Sequence, residues 1–159
     1  MKYITAFLMC LSGAVHSAES LTLEKANAII QGAIKESQKL SLHPMSFAVL
    51  DPGGHLIAFA RQDGAGILRY DIAFAKAYGA LGMGMGSREI YNKSIAIPKF
   101  IEGAISASNG RLIPAPGGVL VFNEKHQLIG AVGASGDTSD HDEQAVLAGI
   151  QSAGLIAQN

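Results

Sequence analysis

Two pairs of short apolar runs, each pair joined by four turn-forming residues, constrain this chain more than any other feature. Residues 47–50 and 55–60 flank Asp51-Pro52-Gly53-Gly54, and residues 119–122 and 128–134 flank the stretch from Asn123 to His126. Runs of this length around Pro-Gly, Gly-Gly and Asn predict two β-hairpins. Between and around them the apolar period lengthens. Leu23, Ala26, Ile29, Ile30, Ala33, Ile34 and Leu40 recur at helical spacing, with Ser20 or Thr22 as the cap and His43-Pro44 as the break. A second helix is predicted from Tyr70, with Ile72, Phe74, Ala77, Tyr78 and Leu81 on one face and Asp71 in its first turn.

Gly79, Gly82, Gly84 and Gly86 weaken that helix, and Ser87 can cap another beginning near Arg88. Residues 98–109 read as helical and residues 111–116 as a connection or short edge strand. Ser139 or Asp140 caps a final helix carrying Ala145, Val146, Ala148, Ile150 and Leu155. Strands that arrive as hairpins, not singly between helices, predict an antiparallel sheet with helices packed on it. The fold class is α/β in the α+β sense.

The amino end reads as an export signal. Lys2 is followed by an apolar run from Ile4 to Val15 and then by His16, Ser17 and Ala18. The run is shorter than the about 20 residues needed to span a bilayer. Cleavage after Ser17 is favoured, with Ala18 as the alternative. A periplasmic or secreted location follows, without a membrane anchor. Leu8 and Met9 before Cys10 are not the small residues that lipoprotein processing needs.

Removing 18 of 159 residues leaves 141, enough for one hydrophobic core and one domain over residues 19–159. It also removes one of twelve basic side chains and none of the thirteen acidic ones, leaving a net charge of −2 with no basic run. Nucleic acid and anionic membrane surfaces are poor partners for such a chain. The only cysteine, Cys10, leaves with the signal. The mature domain then has no disulfide, thiolate ligand, covalent haem link or cysteine nucleophile.

Several glycine and charged motifs invite functional readings. Gly82-x-Gly84-x-Gly86 closes a helix where a dinucleotide fingerprint would open one. Gly133-Ala134-Ser135-Gly136 falls one residue short of a nucleophile elbow. The tract from Gly136 to Glu143 is richer in chemistry, because His141 with Asp137, Asp140 or Glu143 offers ligands for a hard or borderline metal. Capping by Ser139 or Asp140 and the helix dipole explain the same residues more simply. His43, His55 and His126 fall in loops, turns or strand starts, where a solvated role is the ordinary one. Arg61, Asp63, Arg69, Asp71 and Lys76 cluster in sequence, and a loop 61–66 folded over the following helix would let them bind a carboxylate-bearing ligand.

Five blocks in order resemble the GlcG/HbpS-like family of haem-binding, also described as haem-degrading, domains. They are residues 49–56 (Val-Leu-Asp-Pro-Gly-Gly-His-Leu), 61–64 (Arg-Gln-Asp-Gly), 71–77 (Asp-Ile-Ala-Phe-Ala-Lys-Ala), 114–119 (Pro-Ala-Pro-Gly-Gly-Val) and 129–136 with Asp140, Asp142 and Glu143. The resemblance implies a profilin-like three-layer α/β/α architecture whose central antiparallel sheet is built from the two hairpins. It also implies homo-oligomers, commonly tetramers or octamers, and non-covalent haem b as cofactor.

Haem iron needs a nitrogen or oxygen ligand, and its propionates favour Arg or Lys. His141 is the first expected iron ligand and His55 the second, with Arg61 and Lys76 as propionate partners. One alternative is a small-molecule enzyme of a catabolic pathway acting on a small organic acid, with Asp71, Lys76 and Glu143 as acid-base groups. Another is a non-catalytic oligomeric sensor or scaffold.

Overall fold

The computed structural model describes residues 20–159, so the export segment and both cleavage positions lie outside the described residues. Helix α1 spans Leu23–Lys39, and the first hairpin follows as β1 (Ser46–Leu50) and β2 (Leu56–Arg61). Three helices come next: α2 (Arg69–Met83), α3 (Ser87–Ala96) and α4 (Pro98–Ala107). The second hairpin is β3 (Gly118–Phe122) with β4 (Leu128–Ser135), and α5 (Ser139–Ser152) and β5 (Ile156–Gln158) end the chain. All strand pairs are antiparallel, in the order β2-β1-β4-β3-β5. The two hairpins therefore meet at β1 and β4 in the middle of one sheet.

Alternation along the strands explains why the sheet carries helices on both faces. Phe47, Val49, Val119, Val121 and Val132 turn toward α1 and α5 and pack with Ile29, Ala33, Val146 and Ile150. Leu50, Leu120 and Ala131 turn the other way, onto Ala77 and Ala80 of α2. Glycine makes the second interface close: a Cβ at Gly133 of β4 would lie 1.9 Å from the Ala73 carbonyl oxygen. Helices α3 and α4 form a satellite around Ile90, Ile101 and Leu112.

At α1 the structure selects one of the two expected caps, and at three other helix termini it departs from the sequence expectation. Thr22, not Ser20, caps α1 by accepting the Lys25 N–H. Gly86 stands at the start of α3, because the Ser87 hydroxyl is committed to the Gly118 N–H at 2.7 Å. Thr138 caps α5 in place of Ser139 or Asp140, accepting the His141 N–H. The final helix also stops short of Leu155: Gly154 takes φ +70°, and the chain turns back to add β5 beside β3.

Candidate functional site

The register of the sheet decides which of the sequence-predicted residues can meet. Ser46 pairs with Ser135, so the start of β1, the end of β4 and the N-termini of α2 and α5 share one end of the molecule. The turns carrying His55 and His126 share the opposite end. His55 and His141 are thus separated by at least the length of β1, about 17 Å at 3.4 Å per residue. They do not belong to one site. His55 is engaged with its own turn, where the Asp51 carboxylate accepts its main-chain N–H at 2.9 Å and faces its Nδ1 at 3.2 Å.

At the first end lies a cleft lined by His43, Pro44, Gly64, Gly66, Arg69, Gly136, Asp137 and Thr138. Asp137 organises it. One carboxylate oxygen, Oδ2, accepts the His43 main-chain N–H at 2.9 Å and meets His43 Nδ1 at 2.7 Å; the other, Oδ1, meets His141 Nδ1 at 2.7 Å and accepts the Thr138 N–H. These bonds hold the carboxyl below its ordinary range, the His43 main-chain N–H contributing most. Both Nδ1 atoms are engaged by one carboxylate, which leaves each Nε2 without a protein partner among the described residues. A carboxylate behind Nδ1 is the usual second partner of an imidazole that ligates iron or another metal through Nε2.

Arg69, from the first turn of α2, reaches into the same cleft. Its Nη1 donates to Ser135 Oγ at 3.2 Å, and no carboxylate among the described residues pairs with it. A guanidinium in that state suits an anionic ligand. The loop that supplies Gly64 and Gly66 also exposes Ile67 and Leu68, 88% and 63% accessible, beside this polar cluster.

The charged residues grouped by the sequence are dispersed. Arg61 and Asp63 line a separate shallow groove with Ile34 and Gln38. Asp71 is exposed on α2. Lys76 is 2% accessible and bonds Asp142, itself 1% accessible, at 2.7 Å, so it cannot reach a propionate at a pocket rim. Burial pushes the Lys76 ammonium down and the Asp142 carboxyl up, and their mutual attraction opposes both shifts. Glu143 and Asp140 share Arg88, leaving Glu143 Oε1 buried without a hydrogen bond. Asp71, Lys76 and Glu143 therefore do not assemble an acid-base centre.

The tract 136–143 forms no polydentate metal site either. Asp137 is spent on two imidazoles and Asp140 and Glu143 on Arg88, and among the described residues no group of three or more His, Cys, Asp or Glu can hold a metal ion. A single bond from His141 Nε2 to a metal would not need such a group. His43, Arg69 and Asp137 are the cleft residues that sequence reasoning undervalued. The spacing of Asp137 and His141 was readable as a helix-terminal pair, but nothing local linked either to His43, 94 positions away.

Comparison with known proteins places this geometry in a family. A model of haem-degrading HbpS-like proteins matches residues 21–151. An uncharacterised 15.0 kDa protein from the dhaT-dhaS intergenic region of Citrobacter freundii is 30% identical over 124 residues, 77% of this chain and 84% of that protein. Klebsiella pneumoniae ORFY superposes with a TM-score of 0.79 at 26% identity, covering 91% of this chain and 97% of that one. A double mutant of Streptomyces reticuli HbpS gives 0.73 at 26% identity, covering 94% and 97%. A PduOC–haem complex shares the fold with a TM-score of 0.79 at 20% identity, over 89% of this chain and all of that one. With the family model spanning both hairpins and all five helices, the chain belongs to the HbpS-like family of haem-degrading proteins.

Proposed function

We propose that this protein is an exported, homo-oligomeric domain that binds haem b non-covalently in the cleft between the N-termini of α2 and α5. The observation that carries the reading is the Asp137 carboxylate between His43 Nδ1 and His141 Nδ1, both at 2.7 Å, with each Nε2 left for a ligand. His141 would hold the iron through its Nε2, with His43 beside it on the same carboxylate. Arg69 takes a propionate, and Ile67 and Leu68 cover apolar porphyrin surface. The residues present fit the group: the His43 imidazole in the cleft lining with His141 on the other oxygen of Asp137, the Arg69 guanidinium that pairs with no carboxylate among the described residues, and a lining of Pro44, Gly64 and Gly66 that leaves room.

Bound haem brings ligand exchange and redox chemistry whose course depends on the axial donor and its surroundings. The chain's contribution would be to orient the imidazole rings through Asp137 and to neutralise carboxylate charge through Arg69. Family membership, the haem-bound neighbour and the cleft support this reading. The signal pattern at residues 1–18 supports export, and mass spectrometry of the mature protein checks it by locating the new N-terminus.

Titration of the purified protein with haem is expected to shift the Soret band and saturate at fixed stoichiometry. His141→Ala should alter the band, and Arg69→Ala should weaken affinity while leaving its position. A spectrum identical to free haem throughout the titration would overturn the proposal.

A further inference from the structure

The buried ion pair of Lys76 and Asp142 joins α2 to α5, two helices packed on opposite faces of the sheet. Asp142 Oδ2 accepts from Lys76 Nζ at 2.7 Å, while Oδ1 accepts the Asp137 main-chain N–H at 3.0 Å. The Gly136 N–H is also directed at this carboxylate. Gly117 closes over the pair with φ +113°, where a Cβ would lie 2.9 Å from Asp142 Cβ and 3.1 Å from Lys76 Nζ. One side chain of α5 thus ties the turn 136–137 to the middle of α2. The carboxylate of Asp137 then ties that turn to both imidazoles.

We infer that Asp142, held by Lys76, is a positioning residue for the His43–Asp137–His141 cluster: it fixes the Asp137 backbone so that one carboxylate keeps both imidazoles protonated at Nδ1 and open at Nε2. This inference rests on the haem reading for its purpose, but its geometry concerns the ligand-free protein. Apolar replacement of a buried pair is often tolerated, whereas removal of one partner strands a charge. The informative variants are therefore double ones. K76M/D142N carries no buried charge and retains an oxygen for the Asp137 N–H; K76M/D142L retains only the packing.

Imidazole tautomers are read by long-range 1H–15N NMR on the protein without haem. The wild type and K76M/D142N are expected to show the Nδ1–H form at His43 and His141. K76M/D142L should show the mixed tautomers of solvated imidazoles and bind haem about 10- to 100-fold more weakly, the range for loss of an outer partner of a metal ligand. A folded K76M/D142L with unchanged tautomers would overturn the inference. Wild-type hydrogen exchange tests it without any variant: the Asp137 amide should be protected as strongly as the amides of β4, and loop-like exchange there would overturn it as well. Absence of haem binding by the wild type with the expected tautomers would sink the haem reading and leave the positioning role standing.

Discussion

At the scale of single residues, Asp137 is the side chain whose loss should be most visible. Its carboxyl is held below the unfolded value of about 3.9 by hydrogen bonds made only in the folded state. For a depressed carboxyl the stabilisation is present above the unfolded pKa and lost as pH falls through the folded one. Thermal melts should find Asp137→Asn less stable than wild type at pH 6, with the gap shrinking below about pH 4. A gap independent of pH would show that the bonds do not depend on the charge. The Asp137–His141 contact was legible from sequence, as two ionisable residues four positions apart at a helix start. His43 was not: a loop histidine before a proline carries no local mark of a partner across the sheet end, and its role follows from the β1–β4 register. Lys76 was misread for the converse reason, since a lysine among charged neighbours in sequence sits in the core once α2 is laid on β3 and β4.

Among the elements, the glycines divide cleanly into those that packing requires and those it does not. At Gly133 a Cβ would strike the α2 backbone, with the Ala77 nitrogen 2.9 Å away in addition to the Ala73 carbonyl, so Gly133→Ala should cost about 2–3 kcal/mol in chemical denaturation. Gly82, inside α2, has nothing within 4 Å, and Gly82→Ala should stabilise the protein by about 0.5–1 kcal/mol. Equal effects at the two positions would contradict this account of the α2–β4 interface. The phosphate-loop reading of the glycines from Gly82 to Gly86 fails on the same local grounds that the sequence offered: Gly84 ends α2 at φ +65°, and Gly86 opens α3. Hairpins and helices were legible because their periods and turns are short-range. The three-residue β5 was invisible, for its strand state is created by an open edge of β3 and not by its own composition.

For the whole molecule, the unpartnered apolar surface sets the expectation. Tyr91, Ile95, Ile97 and Phe100 are exposed along α3 and the start of α4, apart from the cleft. Large exposed apolar side chains grouped on neighbouring turns are the raw material of protein interfaces. Light scattering after size-exclusion chromatography should give a mass several times that of one mature chain, and Ile95→Lys with Phe100→Glu should reduce it to one chain. A wild-type mass of one chain would remove the homo-oligomer from the proposed function. By itself the sequence determined the class of fold, the two hairpins, the antiparallel sheet and the absence of cysteine from residues 19–159. Those properties are set by period, turn chemistry and composition, which act over a few residues. Only the tertiary structure decided that His43 and His141 share Asp137, that Arg69 and not Arg61 lines the cleft with His43 and Asp137, and that Lys76 is buried against Asp142. Apart from the local Asp137–His141 pair, those contacts join positions far apart in the chain, and strand register and helix docking set their distance.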